Sequence, residues 1–230
     1  LTFDEKVETK DEIKDLSIEI NNIVTIVRGI LPYISFHTLQ NADRNNSRSS
    51  LTRELCFLFT DIRGFTTLCE GLPPKKVIPI LNYYLEKETQ IILNNGGDVD
   101  KYVGDEMMAF FSGPNKEIKA CKAAMEIRKA MRKEQEEDQK KGTQPISMGI
   151  GINSGTVVFG PVGSSTRKDF TSIGDTVNLA ARLEGANKEY GSKTIISEAV
   201  YEQLQGAFIC RELDYIAVKG KTEPVRIYEI

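Results

Sequence analysis

The sequence contains no tryptophan, one histidine and only four cysteines in 230 residues. The cysteines lie far apart and form no CxxC pair, and a single histidine is too few to complete a zinc site with them. Scattered cysteines in a chain of this length do not predict a disulfide scaffold either. We therefore expect neither kind of cysteine-built site, and we expect a reducing compartment.

Long apolar runs and an excess of charge of one sign are also missing. No run reaches the roughly 18 apolar residues of a membrane span, and no signal-peptide pattern is present. Thirty Lys and Arg against 33 Asp and Glu give a net charge of -3, without the basic excess that nucleic-acid binding requires. We expect no nucleic-acid partner, no membrane contact by this chain itself, and a cytoplasmic location. Because the first residue is Leu1 rather than Met, we expect a piece of a longer protein, and a cytoplasmic part of a membrane-anchored protein stays open.

A heptad-like apolar repeat runs from Ile13 to Ile34 within a predicted helical segment over residues 1–36. It predicts a short parallel coiled coil, the alternative being an amphipathic helix packed on its own domain, and Pro32 should end or kink the helix. A polar linker over 37–53 then leads to one globular domain over 54–230. The repeat consists of Ile13, Leu16, Ile20, Ile23, Val27, Ile30 and Ile34.

Strand and helix patterns alternate after the linker. Their order predicts an α+β fold, an antiparallel-rich sheet with helices on one face. Helices are expected near 74–95, 115–138, 175–186 and 197–204. Strands are expected near 54–60, 98–103, 106–111, 146–153, 156–160, 193–196, 209–217 and 224–229, with a connection through residues 153–155.

Two carboxylates stand where strands end. Asp61 follows a buried apolar strand and precedes Gly64, and Asp105 lies at the tip of a hairpin whose Gly104 suits a type II′ turn. Alone, Asp61 also fits a helix cap and Asp105 an ordinary turn residue. If their strands are antiparallel neighbours, the two carboxylates meet, and a metal cation between them explains the pair best.

A third segment carries a polar pair. Asn178 and Arg182 are four residues apart on a predicted helix, so they share one face. An amide and a guanidinium in that arrangement suit a phosphoryl centre, although an exposed Arg beside a helical Asn is also common. These three segments are residues 59–66 (FTDIRGFT), 101–106 (KYVGDE) and 174–182 (GDTVNLAAR).

In this order the three segments resemble the class III nucleotidyl cyclases, the adenylate and guanylate cyclase catalytic domains. The resemblance covers residues 54–230 and implies a ferredoxin-like core that works as a head-to-tail homodimer with active sites at the interface. It implies that Asp61, Asp105 and the carbonyl of Ile62 bind two Mg²⁺ or Mn²⁺ ions, which activate the ribose 3′-hydroxyl and hold the triphosphate.

The remaining site residues follow from the same resemblance. Asn178 matches a ribose-orienting amide, Arg182 a group that stabilises charge on the transferring phosphate, and Lys219 a lysine that contacts the polyphosphate. The backbone at Gly64, Phe65 and Thr66 matches a phosphate-contacting turn.

The base-recognition positions indicate ATP. Lys101 matches the residue that recognises adenine, and an ammonium can only donate hydrogen bonds, so it suits N1 of adenine and not N1–H of guanine. Thr171 matches its partner in a prokaryotic-type subgroup, and its hydroxyl can accept from the exocyclic amine. The resemblance thus implies an adenylate cyclase that makes 3′,5′-cyclic AMP and pyrophosphate downstream of a sensor domain. A guanylate or relaxed cyclase, or a silent nucleotide-binding dimerisation module, is the alternative.

Overall fold

The computed structural model describes residues 12–34, 50–141, 146–166, 168–217 and 224–230. The chain divides into two compact units, Leu1–Asn45 and Asn46–Ile230. In the first unit, helix α1 spans Glu12–Ile30 and is followed by a 3₁₀ turn at Leu31–Tyr33. The helix ends where predicted, because Pro32 lies in that turn and cannot continue the α-helical hydrogen bonds. Most of the predicted linker lies outside the described residues.

The second unit is an eight-stranded sheet with helices packed on it. Its strands run in the order β2-β3-β1-β4-β6-β8-β7, and β5 pairs with β4. Among the described residues, every strand pairing is antiparallel except that of β4 with β6. The helices are α2 (Phe65–Glu70), α3 (Pro74–Asn94), α4 (Lys116–Lys141), α5 (Asp175–Tyr190) and α6 (Glu198–Tyr201). The strands are β1 (Leu51–Arg63), β2 (Gly97–Val103), β3 (Glu106–Phe111), β4 (Ser147–Gly163), β5 (Lys168–Ile173), β6 (Thr194–Ser197), β7 (Arg211–Ile216) and β8 (Val225–Glu229).

Both faces of the sheet are covered, which explains the continuous apolar run in β1. Cys56 and Leu58 point into a core with α3 and α4, whereas Leu55 and Phe57 belong to a second cluster with Ala180 of α5. Successive side chains of a strand point to opposite faces, so a strand buried on both faces needs no polar alternation. The α+β architecture is as predicted, except that α5 lies on the face opposite α3 and α4.

The predicted break in β4 is absent. Residues 153–155 continue the antiparallel ladder with β1, opposite Phe57, Cys56 and Leu55. Their polar groups are satisfied by helices on the two faces. Asn153 Nδ2 donates to the Thr176 carbonyl at 2.8 Å, and Ser154 Oγ donates to Glu117 Oε1 at 2.5 Å. Residues 153–155, which resemble a turn in the sequence, are therefore a short polar stretch within one long strand.

Helix α5 lies against the backbone of β4 at a glycine. A Cβ at Gly151 would lie 2.1 Å from the amide nitrogen of Glu184 and 2.4 Å from the carbonyl oxygen of Ala180. Only a residue without a side chain permits this approach. Among the described residues, every helix is too short or too polar to cross a lipid bilayer.

Candidate active site

The two predicted metal ligands lie together at one end of the sheet. Asp61 is near the end of β1, directly opposite Glu106 on β3. Asp105 precedes Glu106 in the two-residue turn after β2. Gly104 has φ 66° and Asp105 has no positive φ, which agrees with the predicted type II′ turn. The carboxyl groups of Asp61 and Asp105 are close enough for the charge of one to act on the other.

Negative charge is concentrated at this end of the sheet. Burial raises the pKa of Asp105, and the nearby charge of Asp61 raises it further. The pKa of Glu106 is also raised, by burial and then by the charges of Asp61 and Asp105. Carboxylates that raise one another's pKa values bind protons or a divalent cation readily. Oxygen-rich and acidic, this pair fits Mg²⁺ or Mn²⁺.

Two positively charged side chains lie near Asp61. Arg63 Nη1 lies 3.7 Å and Lys188 Nζ 3.8 Å from Asp61 Oδ2. Arg63 is itself held by Glu184, with Nη2 2.6 Å from Glu184 Oε1 and 2.8 Å from its carbonyl oxygen. Burial raises the pKa of Glu184 to about 7, despite the opposing charge of Arg63. The described residues contain no group of three or more acidic, His or Cys side chains arranged around one point.

The predicted phosphate-contacting turn begins α2. Gly64 adopts φ 78°, and Leu68 N donates to its carbonyl at 2.9 Å. The amides of Phe65 and Thr66 precede that first helical bond and therefore have no acceptor within the helix. Phe65 is 8% exposed and anchors the turn in the core.

The predicted base-recognition pair is in contact. Lys101 Nζ donates to Thr171 Oγ1 at 2.9 Å, joining β2 to β5. Thr171 Oγ1 in turn donates to Asp100 Oδ2 at 3.1 Å. Strand β5 was not predicted, because Lys168–Ile173 contains only two apolar residues and no clear alternation.

Asn178 and Arg182 share the exposed face of α5, as predicted, while Leu179 and Leu183 are buried. Within the described residues, neither polar side chain has a hydrogen bond or ion pair, which leaves both available to a ligand. Lys219 lies outside the described residues.

Sequence reasoning missed several groups around these sites. Glu184 and Lys188 become neighbours of Asp61 only because α5 lies along β4, and no local pattern indicates that packing. Arg63 could have been expected beside Asp61, because residues two apart on a strand share one face. Asp100 carried a detectable signal, since it adjoins Lys101 in a strand that is otherwise half apolar.

The family model described as the adenylate and guanylate cyclase catalytic domain matches residues 48–230. The chain belongs to this family. An adenylate cyclase from Anabaena cylindrica is 40% identical over 205 residues, which cover 86% of this chain. The chain spans only 41% of the length of that relative.

Solved structures agree with the family assignment. The crystal structure of the adenylyl cyclase CyaB from P. aeruginosa is 37% identical, with a TM-score of 0.72 over 79% of this chain and 95% of that one. The guanylyl cyclase Cya2 is 32% identical, with a TM-score of 0.64 over 78% of this chain and 92% of that one. The predicted cyclase fold is therefore confirmed. The structure is similar both to an adenylyl cyclase and to a guanylyl cyclase.

Proposed function

We propose that this chain is the adenylate cyclase domain of a larger signalling protein, converting ATP to 3′,5′-cyclic AMP and pyrophosphate at a homodimer interface. One observation supports this above all. Both functional residues of the β2–β3 hairpin meet their expected partners, Asp105 meeting Asp61 and Lys101 meeting Thr171.

Asp61, Asp105 and the Ile62 carbonyl would hold two Mg²⁺ or Mn²⁺ ions. When bound, such ions supply Lewis-acid stabilisation of the ribose 3′-oxygen and of the polyphosphate. The backbone amides of Phe65 and Thr66 donate to phosphate oxygens at the start of α2. Lys219 is assigned to the polyphosphate by resemblance alone.

Helix α5 provides the groups that act on the reacting centre. Asn178 orients the ribose, and Arg182 donates to the phosphate on which negative charge develops. A fixed donor at such a position contributes about 3–4 kcal/mol to transition-state stabilisation. Their exposure suits a substrate bound between two copies of the chain.

The two functional residues of the hairpin, Asp105 and Lys101, would serve different active sites. In this arrangement one copy supplies the metal ligands and the other recognises the base, so each homodimer has two equivalent sites. Asp61→Ala and Lys101→Ala variants, each inactive alone, should recover activity when mixed. The matched control mixes either variant with the Asp61→Ala/Lys101→Ala double variant, which cannot complete any site. Equal activity in both mixtures would refute shared sites.

The helix before the domain provides a connection to an upstream sensor. Its seam residues are exposed within this chain, Leu16 by 60% and Ile23 by 58%. Pairing with the same helix of a second copy would bury them, as in a parallel coiled coil. Rotation or a change in spacing of the paired helices would then reach the catalytic interface.

Product identification tests the proposal directly. The purified protein is incubated with ATP or GTP and Mn²⁺, and the products are identified by mass spectrometry. Cyclic AMP is expected from ATP. Cyclic GMP formed from GTP would instead favour the guanylate or relaxed-specificity alternative. The similarity to the guanylyl cyclase Cya2 makes that alternative worth testing. If a protein shown to be dimeric forms no cyclic nucleotide from ATP or GTP, the catalytically silent nucleotide-binding module would be favoured.

A further inference from the structure

Asp100 is a buried carboxylate beside the base-recognition pair. Its side chain is 2% exposed, whereas that of adjacent Lys101 is 39% exposed. Burying a carboxylate costs free energy unless partners compensate for the lost water. Its partners here are the two residues assigned to the base, since Oδ2 lies 3.1 Å from Thr171 Oγ1 and 3.4 Å from Lys101 Nζ.

These contacts fix the direction of the Thr171 hydroxyl. A threonine hydroxyl has one proton to donate and two positions at which it accepts. The proton is directed to Asp100 Oδ2, and one accepting position is taken by Lys101 Nζ. The one position left to a ligand is therefore an acceptor.

The 3.4 Å contact between Asp100 Oδ2 and the Lys101 ammonium agrees with this direction. Burial raises the pKa of Asp100, while the Lys101 ammonium and the Thr171 hydrogen bond oppose that effect by favouring the charged form. A charged carboxylate only accepts hydrogen bonds, so it cannot reverse the Thr171 hydroxyl.

We propose that Asp100 is a specificity-determining residue, which makes the Thr171 oxygen an obligatory acceptor and so selects adenine over guanine. This inference rests on the proposed function. The pair then presents one acceptor, Thr171 Oγ1, and one donor, Lys101 Nζ. Adenine offers the complementary amine and N1 acceptor, whereas guanine offers a carbonyl oxygen and an N1–H, so both of its groups are mismatched.

Asp100→Asn should relax this selection. The amide can donate to Thr171 Oγ1, which frees the hydroxyl proton for the guanine carbonyl. One hydrogen-bond position of this kind corresponds to roughly ten- to hundredfold in base discrimination. We expect the ratio of kcat/KM for ATP to that for GTP to fall by about tenfold or more, with the Kd of 3′-deoxy-GTP, measured with Mn²⁺, improving relative to that of 3′-deoxy-ATP.

Control variants separate this role from a structural one. Asp98→Asn changes a carboxylate on the same strand and should leave the selectivity ratio unchanged. Thr171→Val removes the hydroxyl, so in that background Asp100→Asn should have no further effect on the ratio. Where Asp100→Asn does not fold, Asp100→Ala replaces it in the same comparison.

The outcomes distinguish the inference from the proposed function. A wild-type enzyme that prefers ATP, with the same ratio in Asp100→Asn, would overturn the inference and leave the cyclase intact. Full additivity of the Asp100 and Thr171 substitutions would overturn it also. If the wild-type protein makes neither cyclic nucleotide, the proposed function fails, while the two 3′-deoxynucleotide affinities still test base selection by Asp100.

Discussion

Glu88 is a fully buried carboxyl group in α3, and its neutralisation should change how stability depends on pH. Its side chain accepts a hydrogen bond from Thr60 Oγ1, and its Oε1 has no partner in the described part of the chain. Burial raises its pKa from 4.5 to about 8, with a smaller contribution from the charge of Asp61. Glu88 is therefore protonated in the folded protein at neutral pH.

The sign and size of the effect follow from proton linkage. The folded state binds a proton at Glu88 that the unfolded state releases above pH 4.5, so stability falls as pH rises through this interval and levels off above about pH 8. At about 1.4 kcal/mol for each pKa unit, the difference corresponds to about 5 kcal/mol as an upper limit. Glu88→Gln keeps the shape and the acceptor for Thr60 but cannot ionise.

Urea unfolding at a series of pH values between 5 and 8.5 measures the effect. Far-UV circular dichroism is suitable, because the protein has no tryptophan. The variant should resemble the wild type at pH 5 and exceed its free energy of unfolding by several kcal/mol at pH 8. Glu86→Gln, on the exposed face of the same helix, is the matched control and should keep the wild-type profile. Parallel profiles for wild type and Glu88→Gln would refute the reasoning.

Three further perturbations test other parts of the structure. Arg182→Ala should lower kcat by about 10²–10³-fold without changing the melting temperature, because the side chain is exposed; a comparable loss of stability would argue for a structural role. Gly151→Ala places a Cβ 2.1 Å from the Glu184 amide nitrogen and should lower the free energy of unfolding by about 1–3 kcal/mol or more. Gly185→Ala, in open space on α5, should raise it by about 0.5–1 kcal/mol. Calorimetry of the two variants measures both changes. Removing residues 1–45 should weaken dimerisation or alter the basal rate, measured by sedimentation and product formation; no change in either would reduce the segment to a tether.

Local signals in the sequence predicted much of the fold and the positions of the carboxylates. The β2–β3 hairpin was predictable because Gly104-Asp105 separates two strand-like runs, and the end of α1 because Pro32 cannot extend it. Helix α3 starts at Pro74, as predicted, because proline suits the first turn of a helix.

Features that depend on distant packing were not predictable. Residues 153–155 have the composition of a turn, but pairing with β1 keeps them in a strand, and their side chains bond to Thr176 and Glu117. The side of the sheet on which α5 packs depends on Gly151, which by itself is an unremarkable residue in a strand. Likewise, Asp100 meets Thr171 across 71 positions of sequence.

The adjacent bonds of Asn153 and Ser154 limit how this domain can be regulated. Asn153 bonds to α5 on one face of the sheet, and Ser154 bonds to α4 on the other face. The helices on both faces are therefore held to adjacent residues of one strand. Sliding α5 breaks the Asn153 bond and opens the close approach at Gly151, and sliding α4 breaks the Ser154 bond. A displacement would therefore tilt or shift the domain as one stiff body. If two copies pair as proposed, the adjustment would take place between them.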